Sequence, residues 1–241
     1  MSNDARPKPR LLVEPGAYLR RQVRLKLNDG LRGLKLKVTD TVDMSRMRTE
    51  TAFQHVLDVG VATGTPDLYA RFPGAILELF EPAPQFHPGL AAGILRERAG
   101  RLHKFALGAA GGEAPLHLTG ATSASLLGSQ DKPGRTFPVV TVQVRRLDGV
   151  LTTGDIRRPA LLKIDTEGYE LAVLQGAEGL LAAIDAVIVE VHLGKPHAYR
   201  PQQVLDILGQ HGFALVDVLG TEIRNHRTTC LDLMFERPAA G

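Results

Sequence analysis

From residue 54 onward, short apolar runs alternate along the chain with stretches of helical periodicity. Gln54–Val59, Ala75–Phe80, Leu102–Leu107, Ala160–Ile164 and Ala186–Val191 read as strands, each ending near a turn or a polar residue. Apolar spacing suited to helices falls over Pro66–Phe72, Gln85–Arg98, Glu167–Leu181 and Pro201–Gln210. Strand, helix, strand in this order implies right-handed crossovers and a parallel sheet. The run Ala186-Val187-Ile188-Val189 does not alternate, which suits a strand covered on both faces. The pattern predicts a doubly wound, Rossmann-like α/β domain.

Two stretches break the alternation. Between Ala109 and Val144, Gly111, Gly112, Gly120, Gly128 and Gly134 punctuate a loop-rich excursion with short strand patterns at Pro115–Leu118 and Val139–Val144. At the C-terminal end, Phe213–Leu219 and Cys230–Glu236 leave no room between them for a crossover helix. They are predicted to pair antiparallel at the edge of the sheet. Before the first strand, a helix is expected over Ala17–Leu27, where Leu19, Val23 and Leu27 recur at four-residue steps. The organisation that follows is a partly helical extension over residues 1–50 and one α/β domain over 51–241.

Composition adds boundaries. Hydrophobic residues make up 44% and charged residues 23%, ordinary for a globular chain. No apolar stretch approaches the roughly 20 residues that span a bilayer. Met1–Arg10 is basic with no apolar run behind it, so no secretory signal is expected. The single cysteine, Cys230, excludes an internal disulfide and a multi-cysteine metal cage, and a reduced, cytoplasmic setting fits best. Charge is uneven: residues 1–48 hold 12 Lys/Arg against 5 Asp/Glu, and the remainder 17 against 21. Such a basic segment can meet a membrane surface, a nucleic acid or an anionic substrate, although a solvated helical face is the commoner outcome. It lacks the interleaved aromatic residues that stack bases, so a nucleic-acid partner is not expected.

The first candidate chemistry is Asp58-Val59-Gly60-Val61-Ala62-Thr63-Gly64-Thr65-Pro66, directly after the first strand. Gly60 permits a sharp turn, Gly64 permits close backbone approach to a ligand, and Thr65 can cap a helix starting at Pro66. The spacing is G-x-x-x-G, not the G-x-G-x-x-G of a dinucleotide cradle. Asp58 would also oppose a pyrophosphate but tolerates a cationic ligand. Glu81 closes the second strand in Leu79-Phe80-Glu81-Pro82, 21 residues after Gly60. Its two oxygens match two vicinal ribose hydroxyls, at the spacing where an acidic residue meets a ribose. Together these motifs favour an adenosine-bearing cofactor.

The most specific stretch is Leu162-Lys163-Ile164-Asp165-Thr166-Glu167-Gly168-Tyr169-Glu170, continuing to Val173-Leu174-Gln175-Gly176-Ala177. It resembles the signature of the FkbM family of methyltransferases: a strand ending in K-I-D-x-E-G-x-E, then a helix ending in V-L-x-G-A. The resemblance runs over about residues 54–193, through Asp58-Val59-Gly60, Phe80-Glu81-Pro82, Ala106-Leu107-Gly108 and Glu190-Val191-His192. Thr122-Ser123-Ala124-Ser125-Leu126 is similar to a serine-rich turn of the same family. This chain departs from the commoner pattern in its Val61-Ala62-Thr63-Gly64 turn and in its basic leading segment.

The resemblance implies a class I methyltransferase fold with a mostly parallel seven-stranded sheet. It implies S-adenosylmethionine as donor and a hydroxyl acceptor on a small molecule or carbohydrate. Asp58, Gly60, Gly64, Glu81 and Asp165 are then the expected cofactor residues. Asp165, Glu190 and His192 are the catalytic candidates, with Glu167 beside them. Glu190 and His192 share one face of their strand by two-residue alternation, and an acid in so apolar a run calls for a polar pocket. An imidazole titrating near neutrality suits a general base. Asp165, Glu190 and His192 also offer ligands to a divalent ion such as magnesium, but no spacing in the sequence demands a metal. Two other classes stay open: an NAD-dependent oxidoreductase or epimerase, disfavoured by the glycine spacing and the terminal strand pair, and a non-catalytic binding protein on the same fold.

Overall fold

The five residues of the first strand, β1 (His55–Val59), are all buried, since both faces of the sheet they belong to are covered. The computed structural model describes residues 47–119, 124–127, 136–194, 199–224 and 227–238. The helix expected over Ala17–Leu27 lies outside them. After β1 come β2 (Ile76–Phe80), β3 (Gly100–His103), β4 (Ala106–Leu107), β5 (Gly112–His117), β6 (Val139–Arg145), β7 (Ala160–Ile164), β8 (Ala186–His192), β9 (Ala214–Arg224) and β10 (Arg227–Glu236).

The main sheet has seven strands in the order β3-β2-β1-β7-β8-β10-β9. Neighbours from β3 through β8 pair parallel; β10 runs antiparallel to both β8 and β9. The terminal pair thus finishes the sheet as the missing crossover helix required, with β9 at the edge. One face, carrying Leu57, Val59, Leu162, Ile164, Val187 and Val189, packs on Val173, Leu174, Ala177, Val204 and Leu208. These come from two helices, α2 (Glu170–Leu181) and α3 (Pro201–Gln210). The opposite face, with Val56, Leu77, Leu79, Leu161 and Ile188, packs on Leu68 and Tyr69 of α1 (Pro66–Arg71) and on Phe86 and Leu90.

Two expected elements are divided in the structure. Leu102–Leu107 is not one strand: β3 ends at His103 on the edge of the main sheet, and β4 joins a separate three-stranded sheet, β4-β6-β5. Between them Phe105 packs edge-on against the rings of Phe80 and His103, and that contact diverts the chain. The glycine-rich excursion is therefore the source of a small second sheet. The helix expected over Gln85–Arg98 is broken into 3-10, α and π turns, Pro84–Phe86, His87–Gly89, Leu90–Ile94 and Leu95–Glu97. Pro88, Gly89 and Gly93 all disfavour a regular helix there.

On the β3 side, Glu78 is fully buried and binds Arg101 Nε at 3.0 Å and His103 Nε2 at 2.5 Å. His55 Nδ1 accepts the Arg157 amide at 3.2 Å, which leaves the proton on Nε2, 3.8 Å from Glu78. Burial alone would raise the Glu78 pKa. The hydrogen bond from His103, the nearby His55 ring and the charge of Arg101 overcome it and bring the pKa from 4.5 down to about 2. A depressed carboxyl stabilises the fold above its unfolded pKa, and that stability is lost as pH falls through the folded value. Urea unfolding from pH 5 to pH 2 is therefore expected to show a loss in the wild type that Glu78→Gln lacks. Equal pH slopes in the two proteins would refute this role.

Candidate functional site

The turns that follow β1, β2 and β7 meet at the carboxyl end of the sheet. Gly60 has φ +82°, and its amide donates to Phe80 O at 3.0 Å. A Cβ at this position would stand 1.8 Å from the carbonyl oxygen of Asp165, so the β1 turn lies directly on the end of β7. Gly64 has φ +102° and its amide donates to Val61 O at 2.7 Å; a Cβ there would meet the Ile94 side chain. Ala62 also has a positive φ, +48°, and Glu81 explains it. Glu81 Oε2 accepts the Ala62 amide and Oε1 the Ala83 amide, each at 2.7 Å. The carboxyl is buried, and burial raises its pKa against the lowering effect of the two amides. Each oxygen keeps a further lone pair for a ligand hydroxyl.

Asp58 is fully buried under this turn. Its Oδ2 accepts from Tyr69 OH at 2.5 Å and from Thr65 Oγ1 at 3.0 Å, while Oδ1 stands 3.3 Å from Lys163 Nζ. The Thr65 hydroxyl thus turns to Asp58, and it forms no cap on α1. Lys163 Nζ also stands 3.2 Å from Asp165 Oδ2. Burial would favour the neutral amine, but the charges of Asp58 and Asp165 outweigh it and raise the Lys163 pKa. The ion chain Asp58–Lys163–Asp165 ties β1 to β7. Lys163 was not among the expected site residues, although a lysine inside Leu161-Leu162-Lys163-Ile164 must find carboxylates if it is buried.

Asp165 follows β7, its amide donating to Val59 O at 2.9 Å. Helix α2 starts at Glu170 and not at Glu167, because Glu167 (φ +55°) and Gly168 (φ +109°) make a left-handed turn. Glu170, fully buried, closes that turn: its Oε1 accepts Thr166 N at 3.0 Å, Thr166 Oγ1 at 3.1 Å and Gly168 N at 2.9 Å. This role was also unforeseen. Ser125 Oγ donates to Glu167 O at 3.3 Å, which brings part of the serine-rich stretch to the same turn; Thr122 and Ser123 lie outside the described residues.

Glu190 and His192 do share a face of β8, with Glu190 Oε2 3.1 Å from His192 Nε2. On β10, Asp232 stands opposite Glu190 and Cys230 opposite His192. Tyr199 OH accepts the His192 amide at 3.1 Å and donates to Glu190 O at 3.3 Å, holding the strand end. The Glu190 pKa rises to about 7, through burial first and then the charge of Asp165, against the opposing effect of His192. Asp232 rises to about 6, again through burial and then Asp165. Asp165 follows β7 and Glu190 and His192 end the neighbouring parallel strand β8, so the three lie together at the carboxyl end of the sheet, where the Gly60–Gly64 turn and Glu81 also lie.

Parallel strands in the order β3-β2-β1-β7-β8, followed by the antiparallel β10 and by β9 at the edge, make this a class I methyltransferase fold, with its glycine turn and acid-ended second strand in place. The chain belongs to the FkbM methyltransferase family, whose domain matches residues 58–215. It is similar to the hexuronic acid methyltransferase AglP of Haloferax volcanii, 32% identical over 71 residues. That match covers 30% of this chain and 28% of AglP. Among solved structures, the magnesium protoporphyrin IX methyltransferase of Synechocystis PCC 6803 overlays with a TM-score of 0.43 at 9% identity, covering 97% of this chain and 87% of the other. The precorrin-6y C5,15-methyltransferase of Geobacter metallireducens gives 0.41 at 9% identity, covering 80% and 85%. Among the described residues, no helix is long and apolar enough to cross a membrane.

Proposed function

We propose that this chain transfers a methyl group from S-adenosylmethionine to a hydroxyl oxygen of a small molecule or sugar, in the cytoplasm. The observation that carries the reading is Glu81: a buried carboxylate at the end of β2, fastened to the tip of the glycine turn through the Ala62 amide. That geometry suits two ribose hydroxyls. S-adenosylmethionine supplies an activated methyl, and its transfer to oxygen forms a C–O bond, breaks the C–S bond and leaves S-adenosylhomocysteine.

The protein supplies alignment and takes up a proton. Gly60 and Gly64 let the backbone lie close to the donor, and Glu81 fixes its ribose. Asp58 acts through Thr65 and Lys163, holding the turn and Asp165 in register. Asp165 places a negative charge beside the sulfonium. Glu190 and His192 receive the proton of the acceptor hydroxyl; burial and the charge of Asp165 raise the Glu190 carboxyl above the ordinary carboxylate range, which suits a proton acceptor near neutral pH. The likeness to a hexuronic acid methyltransferase supports a carbohydrate acceptor.

The test is to incubate the full chain with S-adenosylmethionine and a panel of neutral and uronic sugar glycosides, reading S-adenosylhomocysteine and product mass. An alkali-stable methyl ether is the expected product. Donor binding without turnover on any hydroxylated acceptor, or methyl recovered as an alkali-labile ester, would overturn the reading.

A further inference from the structure

Cys230 is the single cysteine of the chain. The fold gives it neighbours. It lies on β10 directly across from His192 of β8, with Glu190 two residues before His192 on the same face. One donor atom from each of Glu190, His192 and Cys230 lies within 4.8 Å of the others, and Glu190 Oε2 and His192 Nε2 are already 3.1 Å apart. Both His192 and Cys230 are buried, while Glu190 is partly exposed.

We propose that Glu190, His192 and Cys230 form a three-ligand site for a divalent metal ion of borderline softness, with zinc as the best match. An oxygen, an imidazole nitrogen and a sulfur are the three donor types that zinc accepts together, whereas magnesium takes oxygen ligands. Tetrahedral zinc, with bonds of about 2.0–2.3 Å, needs its donors roughly 3.3–3.8 Å apart. The oxygen–nitrogen pair is near that spacing, and the sulfur lies within 4.8 Å of both. The ligands sit on two hydrogen-bonded strands, and Tyr199 braces the backbone at Glu190 and His192, so the frame is rigid. Asp232 stands directly opposite Glu190 on β10, a further carboxyl group beside the cluster. Three protein ligands leave a fourth position open, as in catalytic zinc sites. Its use by an acceptor hydroxyl rests on the methyltransferase reading: Glu190 and His192 act as proton acceptors in the metal-free protein, whereas a bound ion would acidify the hydroxyl in their place. Metal binding itself does not rest on that reading.

The experiment is to strip the full-length protein with chelator and titrate it with cobalt(II), then with zinc in competition with a chromophoric indicator, in the absence of any methyl donor. One equivalent of cobalt is expected to bind with a near-ultraviolet thiolate-to-metal charge-transfer band and release of the thiol proton. Cys230→Ser should abolish the band. It should also weaken zinc binding by more than the roughly 10–100-fold that changing an outer-sphere partner costs. Absence of a thiolate band in the folded wild type overturns the site, whatever the variant does. So does a band, or a zinc affinity, unchanged by Cys230→Ser. Because S-adenosylhomocysteine binding is measured separately, a failed metal site is distinguishable from a failed methyltransferase reading.

Discussion

Replacing Glu190 with glutamine is expected to lower kcat by at least about 10²-fold, the lower end of what a general base contributes. The amide keeps the shape and the hydrogen-bonding reach to His192 but cannot accept the acceptor's proton. The donor-binding turns at Gly60, Gly64 and Glu81 are not touched by the change, so S-adenosylhomocysteine affinity should stay as in the wild type. A fall in kcat with unchanged donor binding marks an interaction used in the chemical step. If Glu190→Gln retained wild-type kcat, Glu190 would be a structural partner of His192, and proton removal would have to be assigned elsewhere.

Gly60→Ala is expected to cost on the order of 3–5 kcal/mol, among the larger effects of a single substitution. The left-handed conformation contributes about 1–2 kcal/mol of this for any residue with a Cβ. The larger part is steric. The added carbon would stand 1.8 Å from Asp165 O and 2.7 Å from its carbonyl carbon, both backbone atoms. They cannot withdraw, because the Asp165 amide is hydrogen-bonded to Val59 O at 2.9 Å in the parallel β1–β7 pair. At roughly 2–4 °C per kcal/mol for a chain of this size, thermal melting should show a fall on the order of 10 °C. Gly64→Ala should be milder, since the atom in its way is the terminal methyl of Ile94, which can turn aside. A Gly60→Ala protein melting within a degree or two of wild type would mean that the two turns do not abut as described.

Much of this was legible in the sequence because the relevant signals are local. Non-alternating apolar runs mark strands covered on both faces, and β7 (Ala160–Ile164) and α3 (Pro201–Gln210) have the bounds that their patterns predict. The terminal strand pair followed from chain length alone, since no crossover helix fits between its members. Phe105 shows what periodicity misses: its ring packs against Phe80 and His103, residues of two different strands, and so ends β3 where the hydrophobic pattern continues. The start of α2 was misplaced for a similar reason. Glu170 reaches back to Thr166 and Gly168, which commits Glu167 to a left-handed turn that its helical propensity does not suggest.

The candidate site divides in the same way. Gly60, Gly64 and Glu81 could be found because their spacing along the chain carries the information. The partners of Asp58 could not, as Tyr69 and Thr65 come from α1 and its approach while Lys163 comes from a strand more than a hundred residues later. A buried lysine in an apolar strand was the available clue. Cys230 gave no clue at all, for only the antiparallel register of β10 against β8 sets it beside His192.

The central claim is that the site at the glycine turn binds an adenosyl donor through Glu81. Isothermal titration of S-adenosylhomocysteine into the wild type and into Glu81→Ala, each checked for folding by circular dichroism, tests it most directly. The account predicts saturable binding to the wild type and a loss of roughly 1.5–3 kcal/mol in the variant, the worth of a hydrogen bond to a charged group. Folded wild-type protein that takes up no S-adenosylhomocysteine, or a variant that binds it as tightly as the wild type, would contradict it.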